Sequence, residues 1–375
     1  MKKLWLCYAA LIWSHNAMAA PEAPFAPLPD VPDYVATMFV TLYHGPTYRE
    51  IRTHHRGWMR VDGSFDRSAY RSTSYFGPGP LFVTFAREPS AQVEGHDWLQ
   101  IERGPAMFRL IRWSGSPFKT GDSQTWLDES CQVWDLSGPL VRPGTRPGAK
   151  HLSCVTPDGI ELWSRGSGTS FEATAIKRQQ VIPNEVQPPR DRLDLKSWLT
   201  APSGATPRSD LPGDITVVLE NEFKGSDDQL QIRTVRRHYP WTHTEDLYGN
   251  GRRTLTFRNE LERLDIYFDS SPSGEPIQLS IRKALRDFRT NKRPDTGPTE
   301  TVLGEQCFRF EDRHRHGHLS QCITADGLVL KHSSSGMEGR KVLAAVKIDR
   351  SSVMLDAVQP PPFIFATKTW GIPDE

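Results

Sequence analysis

Apolar and polar residues alternate along most of this chain, and a two-residue period predicts strands. In "RTLTFRNE" (253–260) Leu255 and Phe257 fall on one face; in "RLDIYFDS" (263–270) Leu264, Ile266 and Phe268 do, and in "PIQLSIRK" (276–283) Ile277, Leu279 and Ile281 do. The same alternation runs through "ATMFVTLYH" from Ala36, "PLFVTFARE" (80–88), "DWLQIER" (97–103), "MFRLIRW" (107–113), "DITVVLENEF" from Asp214 and "VLAAVKIDR" (342–350). Such strands build an antiparallel sheet with one buried and one wet face. Helical spacing is scarce: "RDRLDLKSWL" (190–199) is the best candidate, with Leu195, Trp198 and Leu199 on one side. An apolar sheet face needs a cover. The expected fold class is therefore mainly β, a β-rich α+β chain of two tandem curved antiparallel sheets or half-barrels, each with a covering helix or loop.

The expectation of two sheets comes from an internal repeat. "HLSCVTPDGIEL" from His151 returns as "HLSQCITADGLVL" from His318, and Val186-Gln187-Pro188-Pro189 returns as Val358-Gln359-Pro360-Pro361. Asp158 and Asp326 are 168 positions apart, Val186 and Val358 172, so the register drifts by four residues over the copy. A period this long is a domain duplication rather than a solenoid unit. Asp158-Gly159 and Asp326-Gly327 read as structural hairpin turns, with the aspartate bonding local backbone and the glycine taking positive φ. A duplicated catalytic aspartate would have no duplicated base or nucleophile beside it. The expected organisation is a signal peptide (1–19), a Pro-rich leader (20–33), repeat domain one (34–198), a Pro/Gly/Ser-rich linker (199–213), repeat domain two (214–365) and a C-terminal tail (366–375).

The N-terminus sets the compartment. Lys2 and Lys3 precede the apolar run "LWLCYAALIW", and Ala17-Met18-Ala19 fits small-x-small cleavage. Ten apolar residues are too few to span a bilayer, which takes about 20, and no later run in the sequence is long enough. The expected location is periplasmic or secreted, after cleavage near Ala19. In an oxidising compartment Cys131, Cys154, Cys307 and Cys322 read as disulfides. Each copy holds its own two cysteines, which selects Cys131–Cys154 and Cys307–Cys322 from the possible pairings, and CxxC spacing for zinc is missing.

Composition excludes some partners. Among 375 residues, 46 Lys+Arg balance 45 Asp+Glu, so nucleic acid is not implied. Arg233, Arg236 and Arg237 cluster, but with Asp227 and Asp228 close by they read as a solvated face.

An exported chain with a curved antiparallel sheet, a late C-x-T-x-D-G-[IL]-x-L hairpin and a following strand ending in Pro-Pro resembles the periplasmic lipoprotein-carrier superfamily. The resemblance covers each half from its opening strand to its VQPP end. It implies an unclosed barrel with a helical lid that holds acyl chains or other apolar ligands. This chain departs from it by being doubled and by carrying a cysteine pair in each half, and none of the family's ligand-contacting residues is carried over.

Motifs for GxSxG, HExxH, a P-loop or an EF-hand are absent from the sequence. "DRHRHGH" places His314, His316 and His318 in alternation, and three imidazoles on one strand face could hold zinc or copper. The alternative is a His-rich hairpin loop, favoured by Gly317 and by the matching loop of copy one, which has His151 alone. No cofactor is expected beyond that zinc or copper possibility. The expected function is a non-catalytic envelope protein that binds or carries an apolar small molecule, a lipid or a lipidated partner. A structural adaptor for other envelope proteins is the alternative, and a metal-dependent enzyme using the His314–His318 loop comes third. Eleven tryptophans could fill two cores or line an open mouth.

Overall fold

The computed structural model describes residues 31–42, 47–64, 71–77, 81–88, 96–103, 118–135, 151–166, 169–199, 213–222, 229–259, 261–270, 274–283, 297–314, 317–336 and 339–372. The leader, the cleavage site, "MFRLIRW" and most of the linker lie outside them.

The fold is mainly β, as its alternation predicts. The N-terminal half contributes Tyr34–Leu42 (β1), Thr47–His55 (β2), Trp58–Ser64 (β3), Arg71–Phe76 (β4), Leu81–Glu88 (β5) and His96–Arg103 (β6). Phe118–Trp126 (β7), Glu129–Asp135 (β8), Leu152–Val155 (β9), Glu161–Arg165 (β10) and Thr169–Arg178 (β11) complete it. The C-terminal half repeats the set with Ile215–Asn221 (β12), Leu230–His238 (β13), Trp241–Tyr248 (β14), Arg253–Arg258 (β15), Glu262–Phe268 (β16) and Pro276–Lys283 (β17). It ends with Thr299–Val302 (β18), Glu305–His314 (β19), Gly317–Thr324 (β20), Val329–Gly336 (β21) and Gly339–Asp349 (β22).

Pairing is antiparallel throughout. In the N-terminal half the order is β7-β8-β9-β10-β11-β1-β2-β3-β4-β5-β6. The C-terminal half has the same order, from β18 through β22 and β12 to β17. Even the bulges match: Thr37/Met38 in β1 and Val218/Leu219 in β12. A shared aspartate clasp fixes each opening strand. Asp33 accepts from His55 Nδ1 (2.9 Å) and the Val181 N–H (3.1 Å), and Asp214 accepts from His238 Nδ1 (3.1 Å) and the Val353 N–H (2.8 Å).

The two sheets join. β6 pairs antiparallel with β17, with Leu99 opposite Ile281, Gln100 opposite Ser280 and Ile101 opposite Leu279. By in-half register Ile101 and Ile281 are equivalent, as are Leu99 and Leu279. The halves therefore meet through the same strand, about a two-fold axis at Gln100–Ser280, which is the self-complementary geometry of a symmetric dimer. Among the described residues the result is one open sheet of 22 strands.

The central core crosses this joint. Val83, Phe85, Leu99 and Ile101 pack with Leu264, Ile266, Leu279 and Ile281, all at most 2% exposed. Each such side chain gains about 1.5–3 kcal/mol from leaving water. Two smaller cores lie under the outer strands of each half, around Met38 and Leu162 and around Ile215 and Leu330.

The covering segments differ from the single helix expected over 190–199. Arg190–Leu193 is a 3-10 turn and Leu195–Trp198 a one-turn helix. Asp194 separates them: its φ/ψ of −68/88 is not helical, and its carboxylate accepts from the Lys196 N–H at 3.2 Å. An aspartate that bonds nearby backbone favours a cap over a helix interior. The C-terminal half has an equivalent cover, 3-10 turns at Pro362–Phe365 and Thr367–Trp370. Trp198 Nε1 donates to the Arg192 carbonyl (2.8 Å) and Trp370 Nε1 to the Ile364 carbonyl (2.7 Å), six residues back in each case. Trp370, in the stretch read as a tail, is 0% exposed. The duplication thus runs past VQPP to these tryptophans.

Candidate functional site

The outer strands of the C-terminal half frame a groove of about 700 Å³, within the roughly 300–1,000 Å³ of small-ligand sites. Backbone register sets its floor in rows. Arg309, Cys322 and Lys331 stand abreast on β19, β20 and β21, and Ser320, Ser333 and Val342 form the next row across to β22. Glu222 closes the far wall, held by a bond from its N–H to the Val342 carbonyl (2.9 Å).

Paired charges and hydroxyls line the groove. Lys331 Nζ lies 3.4 Å from Glu300 Oε1, and Arg309 Nη2 lies 2.9 Å from Glu311 Oε1. His318 reaches in from β20; its Nε2 is buried without a hydrogen-bond partner among the described residues, 3.8 Å from Glu311 Oε2. This lining is polar where an apolar ligand was expected.

The N-terminal half fills the same place. By register Val133 stands where Arg309 does, Leu152 where Ser320 does and Trp163 where Lys331 does. Val133 and Trp163 belong to a hydrophobic core, with Leu152 packed on it. One copy closes this face with apolar side chains and the other opens it.

That half instead holds a charged cluster in its interior. Arg52 donates to Glu50 (3.1 Å) and Glu161 (3.4 Å), and Ser153 Oγ donates to Glu161 Oε1 (2.6 Å). Arg52 also sits 4.2 Å over the Phe171 ring. Burial pushes the Glu161 carboxyl up to about 7 against the pull of Arg52, and raises the Tyr34 hydroxyl to about 12. In the C-terminal half Val235 and Val329 occupy the positions of Arg52 and Glu161.

The residues singled out in the sequence have plain structural places. Cys131–Cys154 joins β8 to β9 and Cys307–Cys322 joins β19 to β20, with Cα separations of 5.4 and 5.3 Å. Gly159 and Gly327 take φ of +90° and +82° in the tight turns. Asp158 accepts from Thr156 and from Arg178 Nε (3.0 Å), and Asp326 accepts from Thr324 and from Arg237 Nη2 (2.6 Å). Burial works to raise both carboxyls, and these donors outweigh it and hold them below the usual range. The basic cluster is paired across strands: Arg233 with Asp246 (2.7 Å), Arg236 with Glu245 (3.6 Å) and Arg237 with Asp326.

The histidines do not alternate along one strand. His314 pairs with Gly317 and His318 with Arg313, so they straddle a hairpin. Gly317 starts the return strand, which is why the run turns where alternation would have continued. His316 lies outside the described residues. Among the described residues no three His, Cys, Asp or Glu side chains gather as a metal site.

Sequence reading missed the groove, the internal ion cluster and the joint. A signal for the first two was present: the repeats differ at Trp163/Lys331 and at Glu161/Val329, where equivalent strands trade apolar for charged residues.

No protein-family model matches the chain, and no curated protein matches it. Among solved structures, PNGF-II in its P21 and C2 crystal forms aligns with 86% of this chain and with 69% and 68% of its own. Identities are 11% and 10% and TM-scores 0.23 and 0.24, too low to carry an argument about fold or function. Among the described residues no helix is long and apolar enough to cross a membrane, and the two disulfides fit an oxidising, extracellular or periplasmic setting.

Proposed function

We propose that the protein is a non-catalytic adaptor of the cell envelope, exported after cleavage near Ala19, which binds other envelope proteins through its C-terminal groove. One observation carries this reading over that of an apolar-ligand carrier. Among the described residues the apolar interior is a core of packed side chains, Trp198 and Trp370 among them, whereas the groove facing solvent is polar. A carrier needs apolar surface that a ligand can reach. The groove offers hydroxyls and exchangeable ion pairs, which suit a polypeptide.

The test is photo-crosslinking in cells, with a photoreactive amino acid in place of Ser335 at the groove rim. Discrete protein adducts that are missing when the group sits at Lys177 on β11 of the other half support the adaptor. A protein purified without detergent that carries one or two apolar molecules per chain, and forms no protein adduct, supports the carrier instead.

A further inference from the structure

The charges in the groove are laid out unevenly. Arg309 and Lys331 lie in one row, on the side of β18 and Glu300, while Glu222 stands on the opposite wall beside Val342. Lys331 stands opposite Ala344 and Ala344 opposite Glu220, so Lys331 and Glu222 are two strand spacings of roughly 4.8 Å apart across the sheet and two residues apart along it, roughly 12 Å between their backbones. An extended peptide advances about 3.3 Å per residue, so roughly three to four residues span that gap. Ser320 and Ser333 line the floor between the walls, with Ser335 at the rim, and hydroxyls can donate to and accept from a peptide backbone. His318 Nε2 adds a buried polar atom with no hydrogen-bond partner among the described residues in the same groove.

We infer that the groove binds an extended peptide segment with an acidic residue at one end and a basic residue about three to four positions away. The acidic group meets Lys331 and Arg309, and the basic group meets Glu222. This rests on the adaptor reading and adds the chemistry of the segment that is bound. The existing ion pairs do not block it: Lys331 and Glu300 are 40% and 38% exposed, Arg309 and Glu311 49% and 37%, and exposed pairs contribute little to stability. A ligand carboxylate can replace Glu300 at Lys331 while Glu300 turns to water. The N-terminal half has no such layout, since Val133, Leu152 and Trp163 occupy the positions of Arg309, Ser320 and Lys331.

The experiment is fluorescence anisotropy with the full exported chain and labelled, end-blocked tetrapeptides. Those with glutamate and lysine at positions one and four are compared with isosteric glutamine controls. The charged peptide is expected to bind at least tenfold tighter than the control. Lys331→Glu should lose that preference and gain a peptide with lysine at both ends, and Glu222→Lys should gain one with glutamate at both ends. Both variants should keep the parent melting temperature, because the side chains are on the surface. Equal binding of charged and uncharged peptides, no binding, or no change of preference in either variant would overturn the inference. A cellular partner crosslinked at Ser335 together with such a result leaves the adaptor standing and removes only the peptide chemistry. Selective peptide binding without any cellular partner does the reverse.

Discussion

Arg103 Nη1 of β6 donates to the Thr369 carbonyl at 2.7 Å, tying a strand of the N-terminal half to the cover of the C-terminal half. The reciprocal contact exists: Lys283 Nζ of β17 donates to the Ser197 carbonyl at 3.0 Å. Arg103 and Lys283 are equivalent by register, and Ser197 and Thr369 each precede their tryptophan. Each half thus holds the other's cover, and the core between them is common property.

A shared core predicts shared unfolding. Trp370→Ala removes a fully buried indole at a cost of about 3–5 kcal/mol. The expected outcome is a single cooperative transition, shifted down, in which probes in both halves move together. Differential scanning calorimetry with tryptophan reporters in each half checks this. Two separated transitions, with the N-terminal one unmoved, would show that the joint is weak.

The ion cluster of the N-terminal half predicts strong coupling. Arg52→Val leaves Glu161 buried beside Glu50 without its cation, which costs about 3 kcal/mol or more. Adding Glu161→Val copies the Val235/Val329 pair of the other half, and replacing a buried pair by apolar groups is often neutral. The double variant should therefore recover most of the loss in urea melts. Additive losses would mean that the two side chains do not interact.

Much of this fold is legible in the sequence, because alternation, Asp-Gly turns and cysteine placement are local signals. The strands around Leu264, Ile266 and Leu279 and both disulfides follow from them. The joint does not, because β6 and β17 alternate in the same way whether their free edges meet water or each other. The second tryptophan plug is hidden for another reason: 362–370 forms two short 3-10 turns, and "PFIFATKTW" has no helical period to read. A groove is harder still, since Ser320, Ser333 and Lys331 on a strand look like any wet face until the chain folds.

The disulfides predict a chemical map and a stability loss. Non-reducing peptide mapping should return Cys131 with Cys154 and Cys307 with Cys322. Replacing Cys307 and Cys322 by serine opens a loop of 15 residues and costs about 3 kcal/mol in the chain-entropy picture. Any peptide joining Cys131 to Cys307 would contradict the pairing within each half.

His243 predicts how stability responds to acid. Its ring stacks on Phe257 at 4.4 Å, its Nδ1 is 3.0 Å from the Ala357 carbonyl, and its Nε2 is buried without a hydrogen-bond partner among the described residues. Burial, helped by the charge of Arg236, lowers its pKa below the ordinary 6.5. Between the two values the unfolded chain binds a proton that the folded chain refuses, so stability falls as pH drops below about 6.5. Glu161 acts in the opposite sense: its folded pKa of about 7 exceeds the unfolded 4.5, so acidification between those values favours the folded state through that group. The two contributions overlap and partly cancel in the parent protein. His243→Gln should remove the destabilising one, so that urea melts of the variant from pH 7 to pH 5 show a more favourable trend toward acid than the parent. An identical pH trend in parent and variant would mean that His243 is protonated in the folded state at little cost.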